Sequence, residues 1–170
     1  MIIDNFLNAK LISLAGTHWS CVTDQVMGGL SEASITHEWI DNRAAMRLRG
    51  EVTLENNGGF IQAAVNLAID SPGFVDVRKY EGVKLTLQGN GEKYGIHLRT
   101  KDNVKPWQSY RCSFVTDSNW KDIRLPFSSF VAHRLQTHLD LSHLRRISLV
   151  ALGRNFTADL SVCHLSLYKQ

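Results

Sequence analysis

The sequence has little that would build long helices, cross a membrane or staple a small fold. No run approaches the roughly 20 apolar residues that a bilayer-spanning helix needs, and no long segment repeats its apolar residues every 3.6 positions. Cysteine is scarce. Cys21, Cys112 and Cys163 form an odd, scattered set that gives neither a disulfide framework nor C-x-x-C metal spacing. Their apolar neighbours predict three unpaired thiols buried in strands, in a reducing compartment. Charge of one sign is also missing, since 19 Lys and Arg face 16 Asp and Glu for a formal charge of +3. Arg145-Arg146 is the densest basic pair, and with no basic stripe or polybasic tail a nucleic-acid partner is not expected. The start, M-I-I-D-N-F-L-N, has an acid at position 4 and no basic stretch leading into an apolar one. A secretory leader is therefore not expected and a cytoplasmic location is. Repeats, low-complexity segments and linkers are absent, so residues 1–170, 44% of them hydrophobic, read as one domain with a real core.

Catalytic signatures are missing as well. There is no G-x-S-x-G elbow, no H-E-x-x-H helix and no P-loop. Asp24, Glu32, Asp102 and Asp122 lie near loops, but nothing in the sequence pairs them for acid–base work. His133, His138 and His143 recur every five residues. On a helix that spacing turns successive side chains apart by about 140° net, so they read as loop residues rather than metal ligands. No D-x-D-x-D cluster marks a calcium site. No catalytic residue, cofactor or metal is expected.

What the chain does have is alternation broken by turn residues. Ala33, Ile35 and His37 alternate with Glu32, Ser34, Thr36 and Glu38. Asp41-Asn42 then turns into a strand whose Ala44, Met46, Leu48, Gly50 and Val52 share a face, and the two runs predict a hairpin. Asn56-Asn57-Gly58-Gly59 is a turn before Phe60 to Leu67, where Ile61, Ala63, Val65 and Leu67 share a side. Val83-Leu85-Leu87, Gly89-Asn90-Gly91 and Tyr94-Ile96-Leu98 predict a second hairpin. Further strands are expected at 107–115, 120–125, 146–152 and 158–167, the last apolar on both faces. A lead-in strand with one helical turn around Asn8 to Leu14 is expected, as are short helical turns within Phe127 to Ala132 and Leu139 to Leu144. About ten short strands with little helix predict an all-β sandwich or barrel.

The stretch with most character is Trp19 to Ser31, W-S-C-V-T-D-Q-V-M-G-G-L-S. Gly28-Gly29 permits positive φ or close approach of another chain segment, and Asp24 and Ser31 can fix the loop by hydrogen bonds to backbone. On chemistry alone it is a well-made turn. The pattern W-x4-D-x-V-M-G-G-x-S, followed by Gly58-Gly59-Phe60, resembles the signature of the complex I intermediate-associated protein family of the thirty-kilodalton class. The match runs on through Tyr80 to Val83, Leu98-Arg99-Thr100, Trp107-Gln108, Trp120-Lys121, Leu125-Pro126-Phe127 and Ile147 to Leu152, which is nearly the whole chain.

That resemblance implies a two-sheet jelly-roll β-sandwich similar to galactose-binding domains. It also implies a non-enzymatic role in assembling NADH:ubiquinone oxidoreductase through contacts with protein partners, including membrane-complex assembly intermediates. The motif residues Trp19, Asp24, Met27, Gly28, Gly29, Ser31, Gly58, Gly59 and Phe60 become the candidate binding loop. Mitochondrial members carry a targeting segment; none is seen here, which points to a bacterial form. A second reading comes from the fold kinship, because sandwiches of this kind also bind carbohydrate. Aromatic rings serve them as platforms and polar side chains fix the hydroxyls. Arg99, Trp107, Gln108 and Arg111 are the candidates for such a ligand on a concave face. The plainer reading, and the one preferred for the four tryptophans, is that they fill the core or cover the rim.

Overall fold

The computed structural model describes all residues 1–170. Its twelve strands are β1 Ile2–Asp4, β2 Ser20–Thr23, β3 Glu32–Ile40, β4 Arg43–Val52, β5 Phe60–Asn66, β6 Gly82–Gly89, β7 Lys93–Thr100, β8 Ser109–Val115, β9 Lys121–Pro126, β10 Val131–His133, β11 Leu144–Leu152 and β12 Phe156–Tyr168. All pairings are antiparallel. One sheet, sheet A, runs β3-β4-β12-β6-β9, with β1 also on β12; the other, sheet B, runs β10-β8-β7-β11-β5-β2. The predicted jelly-roll sandwich is thus the observed architecture. Thirty-two buried residues, from Ile3 to Leu167, form one core cluster between the sheets.

The β3–β4 hairpin forms as expected. Asp41 and Asn42 both take positive φ (50° and 61°), the geometry of a type I′ turn whose twist suits a two-residue hairpin. Ala44, Met46, Leu48 and Val52 then point inward. The second expected hairpin does not exist. β6 lies in sheet A and β7 in sheet B, so Gly89-Asn90-Gly91 is a corner between layers, held by Asn90 Nδ2 donating to Thr157 O and Tyr94 Oη donating to Asn90 Oδ1. A hairpin and a corner carry the same alternation and the same turn residues; only the strand partners distinguish them.

Helix is confined to single 3-10 turns at Asp24–Met27, Glu55–Asn57 and Phe127–Ser129. The helical turns expected at Asn8 to Leu14 and Leu139 to Leu144 are instead isolated hydrogen-bonded turns, closed by Leu11 N–H to Asn8 O and His143 N–H to Asp140 O. Backbone bonds such as Ser13 N to Thr17 O and Val77 N to Leu141 O tie these stretches to neighbouring segments. β12 explains its own two-faced hydrophobicity. Its register against β6 slips at Cys163, where Val162 pairs Leu87 and His164 pairs Thr86. This bulge lets Leu160 and Val162 before it, and Leu165 and Leu167 after it, all face the core.

The thiols are half-buried rather than buried: Cys21 on β2, Cys112 on β8 and Cys163 on β12. Two share sheet B with three strands between them and the third lies in sheet A, too far apart for a bridge. Burial raises the pKa of all three. Titration with a disulfide reagent in denaturant, without reductant, should find three thiols and the native protein should react slowly. A count of one would mean a disulfide.

Candidate functional site

The glycine loop closes around Asp24, which follows β2 and is entirely buried. Its Oδ1 accepts from Ser31 N–H at 2.9 Å, and its Oδ2 accepts from Ser31 Oγ–H, from Gly59 N–H at 2.6 Å and from Phe60 N–H at 3.3 Å. Burial pushes the carboxyl pKa up, but these donors, Ser31 Oγ foremost, outweigh it and hold it below the usual carboxylate range. Ser31 Oγ in turn accepts from Thr53 N–H, at 3.0 Å. One carboxylate therefore pins three segments together: the 24–31 loop, the β4 exit and the β5 entry. Gly28 has φ 87°, and Gly29 leaves room where a Cβ would collide with Asp24.

Trp19 belongs to the same scaffold from the other side. It is buried, donates from Nε1 to Asp4 Oδ2 at 2.7 Å and packs 5.6 Å from Phe6, tying the N-terminal segment to β2. Beside Gln25, whose Nε2 donates to Ser31 O, the loop shows apolar side chains to solvent: Val26 is 76% exposed, Met27 61%, Leu30 50% and Leu54, beside Thr53, 46%.

A second distinctive surface is the outer face of sheet B. Registers place Lys93, Gly95, His97 and Arg99 of β7 on it, flanked by Arg111 opposite His97 and by Arg146 opposite Arg99. No Asp or Glu stands at any outward position of this sheet. Arg99, Arg111, Arg145 and Arg146 enter none of the molecule's ion pairs. Burial and then the neighbouring Arg145 and Arg146 lower the Arg99 pKa to about 10. Burial, then Arg111 and His133, push His97 down to about 3, so it is a neutral imidazole. The outer face of sheet A is the opposite case. There Arg47 holds Asp159 through two bonds of 2.9 and 2.7 Å and reaches Glu38, and Lys84 pairs with Asp122.

A family profile described as Complex I intermediate-associated protein 30 (CIA30) matches residues 9–162. The chain belongs to the CIA30 family. No protein of curated function matches it in sequence. In structure it is similar to the family 11 carbohydrate-binding module of the cellulosomal cellulase Lic26A-Cel5E of Clostridium thermocellum. The TM-score is 0.76 at 18% identity, over 100% of this chain and 94% of that one. The same organism's family 11 module in complex with a β-1,3-1,4-mixed-linked tetrasaccharide gives 0.72 at 20% identity, over 99% and 94%. The family 30 module of its cellulase Cel9D-Cel44B gives 0.68 at 11%, over 100% and 98%. At these identities the likeness is one of fold.

The CIA30 signature is therefore legible as mechanics. Asp24, Gly28, Gly29, Ser31, Gly58 and Gly59 make one latch with Phe60 N–H, Trp19 anchors the strand that leads to it, and Met27 rides on its surface. Of the other candidates, Arg99 and Arg111 do share one face. Gln108 serves the 101–108 loop instead: its Oε1 accepts from Val104 and Lys105 N–H and its Nε2 donates to Arg134 O. Trp107, 55% exposed, sits in that loop, which Arg99 braces by donating to Asn103 O and Lys105 O. The tryptophans form no common platform. Trp19 is internal and Trp120 stacks under Arg43 beside the β3–β4 turn. Sequence reasoning missed Lys93, Gly95, His97 and Arg146 as members of the face. The signal was present, since fixing Tyr94, Ile96 and Leu98 inward sends their neighbours outward.

Proposed function

We propose that the protein is a non-catalytic protein-binding module that serves in assembling respiratory complex I on the cytoplasmic side of the membrane. It would engage assembly intermediates through the tip of its signature loop. The observation that carries this reading is the division of labour in that loop. Its polar groups are occupied internally, while Val26, Met27 and Leu30 are held out in water. Clustered exposed apolar side chains mark protein-interaction surfaces, and a latch that fixes their backbone lowers the entropy cost of docking. Membership of a family described by complex I intermediates supports the choice of partner.

The test is a photo-crosslinking residue at position 27 in cells that make complex I, with position 49, on the outer face of sheet A, as control. Position 27 should yield an adduct containing a complex I subunit and position 49 should not. Met27→Glu with Leu30→Glu should slow the appearance of mature complex on native gels while the isolated domain melts within about 2 °C of the parent, since exposed substitutions cost little. Normal assembly in that variant would sink the reading.

A further inference from the structure

We propose that the outer face of sheet B is a binding site for an acidic oligosaccharide, its uronate carboxylates taken by Arg99, Arg111 and Arg146. The argument starts from relief. Gly95, Ser148, Val150 and Ala64 point outward yet lie low in the face, and the last three are almost fully covered by longer neighbours. Over Gly95 and Val150 this leaves a depression of about 290 Å³, with His97 in it and Lys93, Arg111, Leu152 and Arg154 along its margin. Arg99 and Arg146 lie beyond it, further along the same face. From Lys93 to Arg99 the strip is about 20 Å long at ~3.3 Å per residue, enough for several sugar rings.

Charge then selects the ligand. Arg99, Arg145 and Arg146 repel one another, and no carboxylate compensates them. Arg99 Nε and Arg145 Nε are buried donors without an acceptor, and so is the adjacent Asn103 Nδ2. Those atoms are closed to a ligand, but the Nη groups of Arg111 and Arg146 carry no hydrogen bond, their Nε atoms alone being used on Ser109 and Asn66, and a guanidinium binds a carboxylate through charge-assisted hydrogen bonds. A peptide strand would pair with a sheet edge through backbone, whereas this face offers only side chains. Around the arginines these are Ser113, Gln62 and the neutral His97 imidazole, groups suited to hydroxyls, while Ser109 Oγ and Asn66 Oδ1 accept from Arg111 Nε and Arg146 Nε and orient those two guanidiniums. The face therefore fits a chain of hydroxyl-bearing rings with regularly spaced carboxylates.

This inference is independent of the assembly reading, and Met27→Glu should leave it untouched. The probe is an oligogalacturonate, measured by calorimetry beside a neutral mixed-linkage β-glucan and poly-L-glutamate. Binding of oligogalacturonate is expected to weaken with salt and to exceed both controls. Arg111→Gln with Arg146→Gln should weaken it at least tenfold. Gly95→Val should do the same by filling the depression, with the melting temperature kept, because a Cβ there meets nothing nearer than Cys112 O at 3.4 Å. Poly-L-glutamate binding as well as oligogalacturonate, or Gly95→Val binding like the parent, would reduce the face to bare charge and overturn the proposal. So would the absence of oligogalacturonate binding in the folded parent.

Discussion

Asp24→Ala should lower stability by roughly 3–5 kcal/mol, as much as emptying a core position. The carboxylate is buried and accepts four hydrogen bonds. Removing it strands Ser31 N–H, Gly59 N–H and Phe60 N–H in the interior, and each unsatisfied buried donor costs about 1–3 kcal/mol. For a chain of this size that loss corresponds to a fall in Tm on the order of 10 °C. Asp24→Asn, which keeps the shape but turns one acceptor into a donor, should fall between variant and parent.

Acid provides an independent check. The folded-state pKa of Asp24 is depressed, so the unfolded chain binds this proton more readily than the native one. The stabilisation is complete above the unfolded value of about 4 and is lost as pH falls through the lower folded value. Stability measured by urea unfolding between pH 5 and 2 should fall less steeply in Asp24→Asn than in the parent. Parallel curves would mean that this carboxylate does not hold the loop.

Gly29→Ala should come close to Asp24→Ala in cost, about 3 kcal/mol, although it adds one methyl group. The added Cβ would lie on the Asp24 carboxyl and must dislodge it, so it loses the same hydrogen bonds. Gly28→Ala is a different case. Its Cβ would meet open space, and only its φ of 87° is hostile, a strain of about 1–2 kcal/mol. A double-mutant cycle separates the two mechanisms. In the Asp24→Ala background, Gly29→Ala should cost clearly less than it does alone, keeping only the cost of its 2.8 Å approach to the Cβ that remains at position 24, whereas Gly28→Ala should cost as much as it does alone. Additive behaviour of Gly29 with Asp24 would break the account.

The sequence made the strands visible because their inward residues alternate with polar ones, as in Ala44 to Val52. It misled where two arrangements share one pattern. The turn at Gly89 to Gly91 joins layers rather than neighbours, and the doubly apolar β12 is a bulged strand with one inward face in each half. Within the signature loop, the residue types pointed to a fixed turn. What could not be read was that Asp24 bonds to residues 35 and 36 positions away, because the donors are backbone N–H groups and carry no side-chain signal. The basic face was hidden for a related reason. Arg99, Arg111 and Arg146 are dispersed along the chain, and only the pairing of β7 with β8 and β11 brings them together.

The place of β12 has a consequence for synthesis. It comes last among the strands, yet it is flanked in sheet A by β4 and β1 on one side and β6 on the other. A ribosome-bound chain that stops short of residue 156 can zip the β3–β4 hairpin but holds β1 and β4 without their shared partner, leaving β6 paired only with β9. Such non-local pairing is slow to form and exposes apolar strand faces while it waits. Sheet A therefore closes only once β12 has been made and has left the exit tunnel, and until then the apolar inner faces of β4 and β6 wait without their partner.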